Sequence, residues 1–163
     1  MKRIKLTKGK YAFVDDADYE FLNQWNWHFK TGYAHRNQYL KGDNIKSRKR
    51  ISIYMHRLIM NTPIEMFTDH INGNSIDNRR SNLRICTKAE NCRNRINITN
   101  PSKYNGVFFK KSKFNLKKKW FSSICVNYKN IYLGNFKTKK EAALAHNLAA
   151  KKYHGKFASL NKI

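Results

Sequence analysis

Thr68-Asp69-His70-Ile71-Asn72-Gly73-Asn74-Ser75-Ile76-Asp77-Asn78-Arg79-Arg80-Ser81-Asn82-Leu83-Arg84-Ile85-Cys86 is the stretch whose reading decides the fold. Asn72-Gly73 is a strong turn signal, because both residues tolerate positive φ. A short strand ending in Asp69-His70 precedes it. After a polar loop, Leu83-Arg84-Ile85-Cys86 reads as a returning strand. Thr87-Lys88-Ala89-Glu90 then has the spacing of a capping box and predicts a helix through Asn91 and Arg95. The order is strand, loop, strand, helix.

That order suits phosphodiester hydrolysis. The reaction needs a base to activate water and a cation to stabilise charge on the phosphate and the leaving oxygen. Histidine titrates near neutral pH, so it is the natural base. A carboxylate and an amide oxygen suit a hard cation such as Mg²⁺, which keeps several waters. A second amide can fix the histidine tautomer through its other ring nitrogen. Asp69, His70, Asn82 and Asn91 supply these four groups. Spacing alone does not prove the site, because Asn is abundant in this chain. Adjacent residues on a regular strand also face opposite ways, so Asp69 and His70 share one phosphate only if the strand ends or twists there.

Charge narrows the partner. Thirty-four Lys and Arg against ten Asp and Glu leave +24 over 163 residues. Such an excess repels itself in a compact state and calls for a polyanion. Nucleic acid fits, since each neutralised phosphate releases counterions. A membrane partner is not expected: no run is apolar enough to span a bilayer, and the start MKRIKLTKGKYAF lacks a signal-peptide core. Cys86, Cys92 and Cys125 are too few and too scattered for a disulfide framework or a four-cysteine zinc site. They read as reduced thiols in a cytoplasmic, non-secreted protein.

The charge is unevenly spread. Residues 1–98 hold nineteen Lys/Arg and nine Asp/Glu, whereas residues 99–163 hold fifteen and one. Every arginine lies at or before Arg95. With the polar stretch Asn97 to Ser102, this shift marks a boundary. We therefore divide the chain into a β-rich lead-in at 1–50, a catalytic module at 51–97, a linker at 98–102 and a second module at 103–163.

In the lead-in, Ile4 to Val14 carries a Lys8-Gly9-Lys10 turn between apolar runs. Asp16 to Trp27 has apolar residues at Tyr19, Leu22 and Trp25, which is helical spacing. Asp15, Asp16 and Asp18 then fall at a helix start, where negative charge suits the dipole, in preference to forming a metal site. Tyr33 to Arg36 and Ile51 to Arg57 read as strands, with a basic loop at Lys46 to Arg50 between them.

In the second module, Val107 to Lys110, Trp120 to Val126 and Ile131 to Gly134 read as strands, with a turn at Asn127 to Asn130. Trp120, Ser122, Ile124 and Val126 share one face. Thr138-Lys139-Lys140-Glu141 is another capping box, opening a helix that ends at His154-Gly155. Its alanines, Ala142, Ala143, Ala145, Ala149 and Ala150, permit close approach to a sheet. His146 and His154 read as structural.

Residues 51–95 resemble the HNH nuclease family, in its phage and intron homing-endonuclease branch. The matching segments are Met55-His56-Arg57-Leu58-Ile59, Asp69 to Asn74, Asp77 to Arg84, and Glu90-Asn91. Leu6 to Lys10, Val14-Asp15-Asp16 and Tyr33-Ala34 are similar to the lead-in of such proteins. The resemblance implies an α+β protein built on a ββα-metal module. It makes His70 the general base, Asp69 a metal ligand, Asn82 the residue that orients His70, and Asn91 a second ligand. Asn91 stands where the family often has histidine, which favours Mg²⁺, or another divalent ion such as Mn²⁺, over zinc. Arg57, Arg79, Arg80, Arg84, Arg93 and Arg95 surround the motif, some to grip phosphates and others to pair with Asp77 or Glu90. His56 either contacts phosphate or packs in its strand. Asn78 either braces the loop or touches DNA.

The second module resembles the ethylene-response-factor (Apetala-type) DNA-binding domain. The shared marks are Tyr104 to Val107, Trp120, Leu133 to Phe136, Glu141-Ala142-Ala143, Ala149-Ala150, His154-Gly155 and Leu160-Asn161. The expected architecture is a three-stranded antiparallel sheet plus one helix. Its sheet would face duplex DNA through Lys110, Lys111, Lys119 and Tyr132, with the run Lys117-Lys118-Lys119 on phosphate. The family's arginine positions carry Asn105, Phe108 and Cys125 here. Lysine lacks the planar fork of arginine, so phosphate binding is expected to outweigh base reading.

The function that follows is a metal-dependent DNA endonuclease of phage or mobile-element type, with no small-molecule cofactor. The rivals are a non-catalytic, sequence-specific DNA-binding regulator and an RNA-binding protein. No heptad pattern indicates an oligomeric state.

Overall fold

The computed structural model describes residues 1–40, 49–94, 101–111 and 119–163. Arg95, Lys117, Lys118, part of the Lys46 to Arg50 loop and most of the 98–102 linker lie outside those residues. The protein is mixed α and β, and the chain divides into two compact units, Met1–Lys88 and Ala89–Ile163. The division falls within the helix that follows the motif.

In the first unit, β1 (Lys2–Lys5) and β2 (Tyr11–Val14) form an antiparallel hairpin. Lys8 and Gly9 turn the chain with φ of 61° and 64°. Ile4, Ala12 and Val14 bury their side chains, as alternation demands. Helix α1 (Asp16–Asn23) is shorter than the apolar spacing predicts. It stops because the Trp27 ring turns into the core, where its Nε1 donates to the Leu22 carbonyl at 2.8 Å.

Strands β3 (His28–Lys30), β4 (Tyr33–Tyr39) and β5 (Arg50–Tyr54) form an antiparallel sheet in that order. The strand expected over Ile51 to Arg57 ends at Tyr54, and α2 (Met55–Ile59) begins there. The cause is tertiary. Met55 and Ile59 enter the core. The Arg57 guanidinium ties the exit of the helix down by donating to the carbonyls of Met66 (2.7 Å), Pro63 (2.8 Å) and Thr62 (3.3 Å).

The decisive stretch folds as read. β6 (Phe67–His70) pairs antiparallel with β7 (Leu83–Cys86), with His70 opposite Leu83 and Asp69 opposite Arg84. Helix α3 (Lys88–Arg93) follows. Of the turn pair, only Gly73 takes positive φ, at 74°.

The second unit is a three-stranded antiparallel sheet of β8 (Val107–Phe109), β9 (Trp120–Val126) and β10 (Lys129–Phe136), packed on α4 (Lys139–His154). Asn127 and Tyr128 make the β9–β10 turn with φ of 49° and 64°, the both-positive geometry of a two-residue hairpin. Thr138 caps α4 by accepting from the Glu141 amide at 3.2 Å, as the capping box predicts. Ser122 and Ile124 are buried, on the face that meets α4 through Ala149 and Ala150. Gly106, with φ of 64°, passes so close to Ser123 and His146 that a Cβ there would overlap both.

Candidate active site

The loop between β6 and β7 is held by asparagine side chains and by β2. Asn82, buried, accepts from the Asn72 amide through Oδ1 at 3.0 Å and donates through Nδ2 to the Asp77 carbonyl at 2.8 Å. Asn72 donates from Nδ2 to Asp77 Oδ2 at 3.0 Å. The loop backbone joins β2 through Phe13 N to the Ile76 carbonyl (2.9 Å) and Asn78 N to the Phe13 carbonyl (2.8 Å). A polar loop of this length needs such bonds, since its buried amides have no ladder to enter.

His70 ends β6 and is buried. Its Nε2 lies 3.1 Å from Asn78 Oδ1. A carbonyl oxygen only accepts, so this bond places the proton on Nε2 and leaves Nδ1 as the basic nitrogen. Asn78 is wholly buried, and its Nδ2 faces the Met55 sulfur at 3.4 Å. Its backbone bond to Phe13 sets the side chain's direction. The amide that holds the His70 Nε2 is therefore Asn78, whereas the bonds described for Asn82 fasten the loop. Sequence reasoning read Asn78 only as a loop brace or a DNA contact. Nothing in its local run of polar residues, Asp77-Asn78-Arg79-Arg80, marks it out from the other asparagines of the loop.

Burial pushes the His70 pKa below the ordinary imidazole value; the Asn78 bond and the charges of Asp69 and Asp77 work in the opposite direction. The ring is neutral at pH 7 and able to take a proton. Its neighbours are rings: His56 at 5.1 Å and Tyr33 at 6.0 Å between centroids.

Asp69, also buried, faces its cross-strand partner Arg84, whose Nε and Nη2 donate to Oδ2 at 2.8 and 2.6 Å. The two neighbours on β6 thus reach different named partners, as strand geometry requires.

Arg57, Arg79 and Arg80 also bond within the first unit. Arg79 grips Asp77 with two bonds of 2.7 Å and holds that carboxyl below its ordinary range. Arg80 grips Asp18 at 2.9 and 2.7 Å, and its amide donates to Asp15 at 2.8 Å. Arg57 holds three carbonyls. Asp15 and Asp18, read as charges at a helix start, do flank the beginning of α1, but their partners are Arg80 atoms far along the chain. Asn91 and Arg93 sit on α3 and belong to the second unit. There Lys110, Lys111, Lys119 and Tyr132 are exposed. The Lys110 amide extends the β8–β9 pairing by donating to the Lys119 carbonyl at 2.8 Å.

The strand ending in Asp69-His70, the loop whose Asn78 meets the imidazole, and the returning strand make up the candidate site. Residues 54–93 match the family described as HNH endonuclease. The chain is also similar to an uncharacterized HNH endonuclease of Acanthamoeba polyphaga mimivirus, 29% identical over 157 residues that span 96% of this chain and 77% of that protein. Residues 54–93 are thus an HNH endonuclease domain, and the protein is an enzyme of that class, a hydrolase that cleaves DNA. No helix among the described residues is long and apolar enough to cross a membrane.

Proposed function

We propose that the chain is a metal-dependent endonuclease of double-stranded DNA, of the phage or mobile-element homing type. In this reading, residues 51–97 are the catalytic module and residues 103–163 an Apetala-type DNA-binding domain. The observation that carries it is the buried His70 ring at the end of β6, with Nε2 3.1 Å from Asn78 Oδ1.

His70 Nδ1 takes a proton from water as the water oxygen attacks the scissile phosphorus, and the bond from phosphorus to the leaving sugar oxygen breaks. Asn78 keeps the ring in the competent tautomer throughout, and the Asn82 bonds keep the loop from drifting. Asp69 is the carboxylate that would hold a divalent cation, which supplies charge stabilisation at the phosphate and the leaving oxygen. The donor chemistry fits a hard ion. Asp69 offers carboxylate oxygen, the donor type a hard ion prefers, beside the Arg84 guanidinium that bonds it in this structure. Mg²⁺ or Mn²⁺ is the proposed ion.

The second unit supplies duplex affinity. Supporting this are its lysines against only two acids, Glu90 and Glu141, and an aromatic row on the sheet face turned away from α4. Phe108 stacks on Phe121 at 5.2 Å, and Phe121 meets Tyr132 at 6.5 Å. Phe108 and Tyr132 are exposed, so they are available to base edges and thymine methyl groups while Lys110, Lys111 and Lys119 take phosphates.

Supercoiled plasmid incubated with Mg²⁺ or with chelator, beside His70→Ala, tests the reading. Nicking or linearisation is expected only from the wild type with metal. Equal cutting by His70→Ala overturns the assignment of the base, and equal cutting in chelator overturns the metal requirement.

A further inference from the structure

A second imidazole lies against His70 and the mechanism above leaves it idle. His56 stands on α2 with 8% of its surface exposed. Its Nδ1 is buried with no hydrogen-bond partner among the described residues. Other rings keep it in place: Tyr33 at 5.3 Å, Tyr54 at 5.7 Å and His70 at 5.1 Å, the last edge to face. Tyr33 touches both imidazoles, so the three rings form a closed set.

Buried polar atoms in folded proteins almost always find partners, so an imidazole kept here with Nδ1 enclosed and unpartnered is kept for its other ring nitrogen, Nε2, which then carries the N–H. For packing alone a phenyl ring would fill the same space without stranding a nitrogen. Burial, followed by the charges of His70 and Arg57, pushes the His56 pKa down to about 3. The ring therefore stays neutral beside the base, does not compete for its proton, and keeps one N–H to give.

We propose that His56 is a second catalytic residue, whose neutral N–H donates to a non-bridging oxygen of the scissile phosphate. The distance suits this role. A water between His70 and phosphorus needs about 3 Å on each side, so the phosphoryl oxygens come to lie one ring away from the base. A donor waiting there, in a water-poor site and already oriented, stabilises the charge that builds on the phosphoryl group. The inference rests on the reading of His70 as the base.

The test compares wild type, His56→Phe, His56→Gln and His70→Ala in single-turnover cleavage of supercoiled plasmid with Mg²⁺. Plasmid affinity in chelator and melting temperature are measured on the same proteins. His56→Phe is expected to slow the cleavage step 30- to 300-fold, with affinity unchanged and melting temperature equal to or above wild type. His56→Gln, which restores a donor, is expected to recover to within tenfold of wild type. The acid limb of the pH–rate profile should stay where it is in His56→Phe, because it belongs to His70. His56→Phe cutting within threefold of wild type overturns the proposal. So does His56→Gln cutting no faster than His56→Phe, or a lower melting temperature in His56→Phe, which would mean the nitrogen serves the fold. If His70→Ala cuts like wild type, the base assignment itself has failed. If His70→Ala is inactive while His56→Phe is not, only the role of His56 falls.

Discussion

In Met1–Lys88, the guanidinium groups of Arg57, Arg79, Arg80 and Arg84 each close a loop or clasp a carboxylate. In Ala89–Ile163 the basic residues are nearly all lysines, and only Glu90 and Glu141 could balance them. The same sign of charge therefore does different work. Arginine's rigid fork suits internal ties, where both ends of a bidentate bond are fixed. Lysine's compact ammonium on a flexible stem suits a polyanion whose position varies. Four arginines of one unit hold its loops in shape, and the lysines of the other are proposed to meet an outside partner.

The sharpest way to break this contrast is to remove the base. His70→Ala should lower cleavage by about 10² to 10⁴-fold, while plasmid affinity in chelator stays unchanged. A matching loss of affinity would mean that the catalytic loop also carries binding. The acid limb of the wild-type pH–rate profile should lie below the ordinary histidine range, since burial lowers the His70 pKa and the rate rises as the ring loses its proton. A limb at or above pH 6.5 would contradict it.

The next effect is on stability. Arg84→Ala removes the two Arg84 bonds to the buried Asp69 carboxylate and should destabilise the first unit by about 3 kcal/mol. Urea denaturation reads this directly. A change under 1 kcal/mol would show that the pair is not the tie described.

Changing Lys110, Lys111 and Lys119 together to Gln sharpens the other side. The slope of log affinity against log salt should fall by about 0.9 for each phosphate no longer neutralised, with the cleavage step unaltered at saturating protein. Arg79→Gln and Arg80→Gln should leave the slope alone. Equal slopes in all variants would erase the distinction between the units.

The last effect is a pH dependence. The folded pKa of His56 is about 3, against 6.5 when the ring is free. Between those values the unfolded chain binds a proton that the folded chain refuses, so stability falls as pH drops from 6.5 towards 3. This single group contributes at most about 1.4 kcal/mol per pH unit. Melting temperature against pH should be flatter for His56→Phe across that window, and an identical curve would count against the burial described.

Much of this was legible beforehand. The β6–loop–β7 order, the Asp69-His70 pair and the α4 cap follow from short-range patterns: alternation, a turn dipeptide, and Thr138 three residues before Glu141. Three things were not, and each depends on distance along the chain. Arg80 meets Asp18 across 62 residues, and nothing local to either announces the other. Asn72, Asn74, Asn78 and Asn82 are chemically alike, and only the β2 contact at Phe13 decides that Asn78 faces His70. The alternation of Ile51 and Ile53 continues into Met55, so the turn into α2 is invisible until the core claims Met55 and Ile59.

The stitching of the 71–82 loop to Phe13 has a practical corollary. A fragment cut to the family-matching segment 54–93 would lose the strand against which its asparagines are indexed, so it is no transplantable cassette. Anyone grafting this cutter onto another scaffold must carry the N-terminal hairpin along.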